Sequence, residues 1–172
     1  VNQRGARPEI FTYGNRNSQG TAIHPVSGII FQTEHGARGG DELNIIRPGA
    51  NYGWPTVTRT RDYRTNEPIG SHDASDGFVD AAYVWTPAIA PAAMMFYTGD
   101  IFPQWRNNLF IASLVQAKLL RVIVDGDRVV GQEDLLRGVV GRIRHVVQGP
   151  DGYLYLLTDA PDGGIFRIEP AL

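Results

Sequence analysis

Arg142 and Arg144, separated by one residue, are the sharpest chemical signal in this 172-residue chain. On a strand, residues two apart point to the same side, so two guanidiniums would stand together. Like charges so placed repel unless an anion lies between them. That points to a polyanionic ligand, although an edge strand facing solvent would also accept the pair. A second cluster, Tyr13-Gly14-Asn15-Arg16-Asn17-Ser18-Gln19-Gly20, supplies fixed donors beside glycines that let backbone approach a flat ligand. Read locally, it is also an ordinary polar turn. The third, Glu34 to Asn44, combines carboxylates with glycine-exposed carbonyls, the donors that Ca²⁺ takes. Its spacing is not that of an EF-hand, and a solvated charged turn is the plainer reading. His24, His35, His72 and His145 show no paired metal-ligand spacing and read as structural. With no cysteine, disulfides, thiolate zinc sites and cysteine nucleophiles are excluded.

The elements that must hold these groups are short. Gly28–Phe31, Leu109–Ala112, Leu119–Val124 and Tyr153–Leu157 are apolar runs of strand length, most with Gly, Asn, Asp or Pro nearby. Gln116-Ala117-Lys118 reads as a hairpin turn. The 20 glycines and 11 prolines leave no room for a helix longer than about three turns. Leu154 follows Leu109 by 45 residues (154 − 109), and in each unit a second strand follows at the same offset of 11 (120 − 109 and 165 − 154). His24–Phe31 repeats the turn-then-strand opening upstream. A period near 45 with several strands per unit is the pattern of a β-propeller blade. The expectation is therefore an all-β fold, a β-propeller of about three to four blades, with hairpins over 24–55, 105–125 and 142–170. Residues 56–82, carrying Arg59, Arg61, Asp62, Arg64, Asp73, Asp76 and Asp80, break the pattern and read as a long loop. Propellers typically need four to eight blades, so the chain reads as a single domain that is part of a ring.

A net charge of −2 gives no general attraction to nucleic acid or anionic membrane. No apolar run approaches the roughly 20 residues of a membrane span. The chain starts at Val1 with no signal-peptide pattern, which reads as a processed end, a boundary or an internal cut. Lys118 is the only lysine, so almost every fixed cation is an arginine.

Taken in order, Arg16-Asn17-Ser18-Gln19-Gly20, Glu34-His35-Gly36, Gly40-Asp41-Glu42-Leu43-Asn44, Asn51-Tyr52-Gly53-Trp54-Pro55, Ile89-Ala90-Pro91, Tyr97-Thr98-Gly99-Asp100, Arg142-Ile143-Arg144 and Gly149-Pro150-Asp151-Gly152 resemble the soluble pyrroloquinoline quinone (PQQ) dependent aldose sugar dehydrogenases, the glucose/sorbosone dehydrogenase family. The resemblance covers nearly the whole chain. It implies a six-bladed propeller, oxidation of an aldose at C1, and hydride transfer to the quinone. It places Arg16, Asn17 and Gln19 against PQQ, with Arg16 stabilising the oxyanion formed as the quinone accepts hydride. It assigns Arg142 and Arg144 to the acidic groups of PQQ. It makes the Gly36 and Ala37 carbonyls ligands of a Ca²⁺ that bridges to PQQ, and Glu42 and the Tyr52 carbonyl ligands of a second Ca²⁺.

The chain also departs from that family. The family's general base is a histidine of an amino-terminal half, with which none of the four histidines here aligns. Ser113-Leu114 is followed by Val115 where some members carry a cofactor-binding lysine, with Lys118 three residues on. Ala92-Ala93 replaces a commoner serine-containing pair. The expectation is a carboxy-terminal half, partnered by the missing half or a second chain, acting on an aldose in the periplasm or outside the cell, and inactive alone for lack of the base. The alternatives are a non-catalytic propeller module binding calcium, a sugar or a protein, and a calcium-dependent lactonase-type propeller.

Overall fold

In the computed structural model, which describes residues 5–73 and 77–171, the chain forms eleven short strands, several of them apolar runs cut by glycine and proline. They are β1 (Ser18–Ile23), β2 (Ile30–Glu34), β3 (Asp41–Ile46), β4 (Tyr83–Trp85), β5 (Pro91–Phe96), β6 (Leu109–Ser113), β7 (Lys118–Asp125), β8 (Arg128–Leu135), β9 (Ile143–Gln148), β10 (Leu154–Thr158) and β11 (Ile165–Ile168). The only helical element among the described residues is a single 3-10 turn, Pro103–Trp105. Every strand pairs antiparallel with its chain neighbour inside three sheets, ordered β1-β2-β3-β4, β5-β6-β7-β8 and β9-β10-β11. The first strands lie side by side, β1 against β5 and β5 against β9, as the inner strands of successive propeller blades do. Three sheets, two of four strands and one of three, is the low end of the count expected from the repeat. The repeated positions Ile30, Leu109 and Leu154 each begin the second strand of a sheet.

Two apolar layers hold the sheets together. Phe31, Leu43, Ile45, Met94, Leu109, Ile111 and Leu120 fill the layer between the first and second sheets. Phe110, Ala112, Leu119, Ile143, Val146, Leu154 and Leu156 fill the layer between the second and third. The middle sheet is thus buried on both faces, which is why β6 and β7 read as continuous apolar runs rather than alternating ones. Leu119 and Leu120, consecutive and both fully buried, serve opposite layers. Burying such a side chain is worth about 1.5–3 kcal/mol. Trp85 Nε1 donates to Gln132 Oε1 (2.8 Å), tying β4 to β8.

Four strands lie outside the hairpins expected from the sequence. β1 is polar because it begins at the Arg16 cluster, β4 has three residues, β5 opens on Pro-Ala-Ala, and β8 is an exposed strand of mostly polar residues. The turn expected at 116–118 is Leu114–Ala117, and Lys118 is already the first residue of β7. Residues 56–73 and 77–82 have no strand of their own but are not loose. Arg59 makes a two-point ion pair with Asp80 (2.9 Å each), and isolated bridges join Arg38 to Arg61 and Val57 to Ser71. Asp76 and Val1 lie outside the described residues.

Candidate functional site

Antiparallel pairing puts the start of each first strand and the end of each second strand at one end of its sheet. That end carries the Arg16 segment, the β2–β3 connection, Arg142 with Arg144, and the β10–β11 connection. Arg16 docks on the β2–β3 connection. Its Nη1 donates to the carbonyls of His35 (3.0 Å) and Gly36 (2.9 Å). The Trp54 ring centroid lies 5.0 Å from the guanidinium carbon and that of Tyr63 lies 6.0 Å away. Both aromatic faces favour a cation there. Asn17 and Gln19 are exposed and bonded to each other, Gln19 Nε2 donating to Asn17 Oδ1 (2.9 Å). The His35 ring bonds the Pro91 carbonyl (2.6 Å), tying this connection to the start of β5.

Glu34 is the hub beside Arg16. Its Oε2 accepts the backbone N–H groups of Arg16 and Asn17, and its Oε1 accepts Asn44 Nδ2 (2.8 Å) and Asn15 Nδ2 (3.4 Å). The β2–β3 register sets Glu42 directly opposite. Burial pushes the Glu42 carboxyl up to about 7, helped by the Glu34 charge, and burial raises Glu34 as well. Asn44 Nδ2 also reaches Glu42 (3.3 Å), while Asn44 Oδ1 is buried with no partner among the described residues. A cavity of about 10 Å³, room for a single water or small ion, is lined by Arg16, Glu34, Gly36, Glu42, Tyr52 and Thr58 among others. Neither the Ala37 nor the Tyr52 carbonyl accepts a hydrogen bond among the described residues. No cluster of three or more His, Asp or Glu side chains occurs among them. Two facing carboxylates, an unpartnered amide oxygen and free carbonyls are nevertheless a donor set suited to a hard cation.

Arg142 and Arg144 meet an anion that the sequence reading did not name. Arg142 Nη2 (3.1 Å) and Arg144 Nη2 (2.8 Å) both donate to Asp159 Oδ2, so the two guanidiniums stand together, although Arg142 is the residue before β9 rather than on it. These two hydrogen bonds hold the Asp159 carboxyl below the usual carboxylate range. One carboxylate against two guanidiniums leaves a surplus positive charge on half-exposed side chains, which fits an acidic ligand. Among the described residues, no hydrogen bond or ion pair joins this pair to Arg16. Lys118 is buried and ion-paired with Asp134 (2.8 Å), so it is not available to a ligand.

The family description Glucose / Sorbosone dehydrogenase matches residues 1–167. The chain belongs to that family. It is 40% identical over 171 residues to the aldose sugar dehydrogenase YliI of Escherichia coli, covering 99% of this chain and 46% of that protein. A crystal structure of a glucose dehydrogenase superposes with a TM-score of 0.92 at 46% identity, over 99% of this chain and 50% of the other. The PQQ-bound aldose sugar dehydrogenase of Streptomyces coelicolor superposes at 0.71 with 28% identity, over 93% and 45%. The chain thus spans about half the length of these relatives. Among the described residues no helix is long and apolar enough to cross a membrane.

Against this family background, the sequence reading gave Glu34, Asp41 and Asn44 only as members of a calcium-type loop, with no role of their own, and missed Thr60 and Asp159. Strand alternation carried a usable signal for Glu42 and Asn44. Leu43 and Ile45 face the core, so Glu42 and Asn44, which alternate with them, face the other way together. Nothing local marked Asp159 or Thr60.

Proposed function

We propose that this chain forms the cofactor-binding part of a PQQ- and calcium-dependent aldose dehydrogenase. What supports the reading is Arg16 docked beside the Glu34–Glu42 pair in the first sheet, together with the surplus charge of Arg142 and Arg144 in the third. PQQ, when bound, supplies the acceptor for hydride from the sugar C1. Arg16 would hold a fixed positive charge at that site, and no proton need leave it. Asn17 and Gln19 offer exposed amide groups beside it. Arg142 and Arg144 would bind the acidic groups of PQQ, with Asp159 keeping the two guanidiniums together. The Gly36 and Ala37 carbonyls would hold a Ca²⁺, and Glu42 with the Tyr52 carbonyl a second. The free donors support the second site, where the Tyr52 carbonyl and Asn44 Oδ1 stand near the two carboxylates; at the first, the Ala37 carbonyl is free among the described residues and the Gly36 carbonyl accepts Arg16 Nη1.

In this reading the base that takes the proton of the C1 hydroxyl comes from outside the described residues. We infer that further propeller sheets, from the same protein or a second chain, supply the base and cover the third sheet, whose Ile165 and Val147 are exposed. A periplasmic or extracellular setting belongs to the same proposal. Titrating the chain with PQQ in the presence of Ca²⁺ and following cofactor absorbance tests it. Saturable binding that needs calcium supports the reading. Calcium uptake with no change in PQQ absorbance would favour a non-catalytic binding module.

A further inference from the structure

Three consecutive peptide groups of the β2–β3 connection are tied down by side chains from elsewhere. The N–H of Gly36 donates to Asp41 Oδ1 (2.9 Å). The N–H groups of Ala37 (2.6 Å) and Arg38 (3.0 Å) both donate to Thr60 Oγ1, Arg38 sharing its hydrogen with the Arg61 carbonyl. Thr60 is fully buried and Asp41 is 2% exposed. In a trans peptide the N–H and the preceding carbonyl point in opposite directions. Fixing these three amides therefore turns the carbonyls of His35, Gly36 and Ala37 the other way. Two of the three receive Arg16 Nη1, and the third accepts nothing among the described residues. The connection has no slack, because a Cβ on Gly36 would stand 2.0 Å from the Gly39 carbonyl oxygen. Asp41 is itself fixed from the segment that leads into the second sheet, its Oδ2 accepting the N–H groups of Ile89 (2.8 Å) and Ala90 (2.7 Å).

We propose that Thr60 and Asp41 are positioning residues that aim the His35, Gly36 and Ala37 carbonyls and, through them, the guanidinium of Arg16. The segment 56–82 then has a role in the site, since it delivers Thr60 to the back of the carbonyl row. The calcium part of this proposal rests on the function proposed above; the Arg16 part does not.

The test compares the 172-residue chain with Thr60→Val, which keeps the shape and removes the acceptor, and Thr60→Ser, which restores the hydroxyl. Amide hydrogen exchange and the ¹⁵N resonances of the Arg16 guanidinium are read by NMR, and calcium affinity by calorimetry. In Thr60→Val, exchange at Ala37 should rise about tenfold or more and the Arg16 signals should shift, with calcium affinity falling by about tenfold. Thr60→Ser should keep all three near wild type. A Thr60→Val protein with unchanged Ala37 exchange and unchanged Arg16 signals overturns the proposal. If Thr60→Val does not fold, the wild-type chain still decides, because an unprotected Ala37 amide overturns it and a protected one with intact Thr60→Ser supports it. If wild type takes up no calcium while Arg16 loses its order in Thr60→Val, the calcium reading falls and the positioning role stands.

Discussion

Glu34 and Glu42 face each other across β2 and β3, a buried and a partly buried carboxylate that both receive the amide of Asn44. Mutual repulsion and burial both disfavour the doubly charged pair. A cation between them would relieve both, whereas the polar groups around them otherwise serve the Arg16 backbone.

The first prediction concerns that cation. Calcium at a hundred times its dissociation constant should stabilise the chain by about 2.7 kcal/mol, a rise in melting temperature of several degrees. Glu42→Gln should remove most of that rise while leaving the melting temperature in chelator equal to wild type or higher, because it deletes a partly buried like charge. Differential scanning calorimetry with and without chelator reads both. An undiminished calcium response in Glu42→Gln would exclude this carboxylate as a ligand.

Replacing Arg142 and Arg144 together with alanine should abolish PQQ binding with little loss of stability, since both side chains are about half exposed. Equilibrium dialysis with PQQ and a denaturant melt separate the two effects. Retained PQQ affinity would remove the pair from the cofactor site.

Asp159 gives a pH test. Its folded-state value is lowered by the two arginines, so its contribution is fully present above the ordinary carboxylate value of 3.8 and is lost as pH falls through the folded value. An NMR titration of its carboxyl carbon should have a midpoint below 3.8, moving upward in the Arg142→Ala, Arg144→Ala chain. A midpoint that does not respond to loss of the arginines contradicts the bridge.

Leu119→Ala and Leu120→Ala should each cost about 2–5 kcal/mol in denaturant unfolding, although the side chains serve different apolar layers. Val130→Ala, at a residue 57% exposed, should cost far less. A small loss at either leucine would mean that its sheet is not packed on both faces.

By itself the chain should show no PQQ-dependent oxidation of glucose, and adding the amino-terminal part of a relative should restore some. A dye-reduction assay with PQQ and Ca²⁺, alongside a solution mass measurement, decides this. Turnover by a monomer of this chain alone would place the base within these residues.

The sequence by itself determined the strands of the blade hairpins and the all-β class, because short apolar runs between glycines and prolines, repeated at 45 residues, admit little else. It also singled out Arg142 and Arg144 as a pair, although Arg142 is the residue before β9 and the two guanidiniums meet on Asp159. The polar strands β1 and β8 were less legible, since a strand that faces solvent or a site lacks the apolar signature. What only the tertiary structure decided is who meets whom. Asp159 reaches the arginine pair because β9 and β10 run antiparallel, Glu34 meets Glu42 through the β2–β3 register, and Thr60 returns from a long polar segment to hold the amides of Ala37 and Arg38. Composition is a local property of the chain. A buried carboxylate or hydroxyl acquires its role from whichever unpaired polar groups the sheet register brings against it.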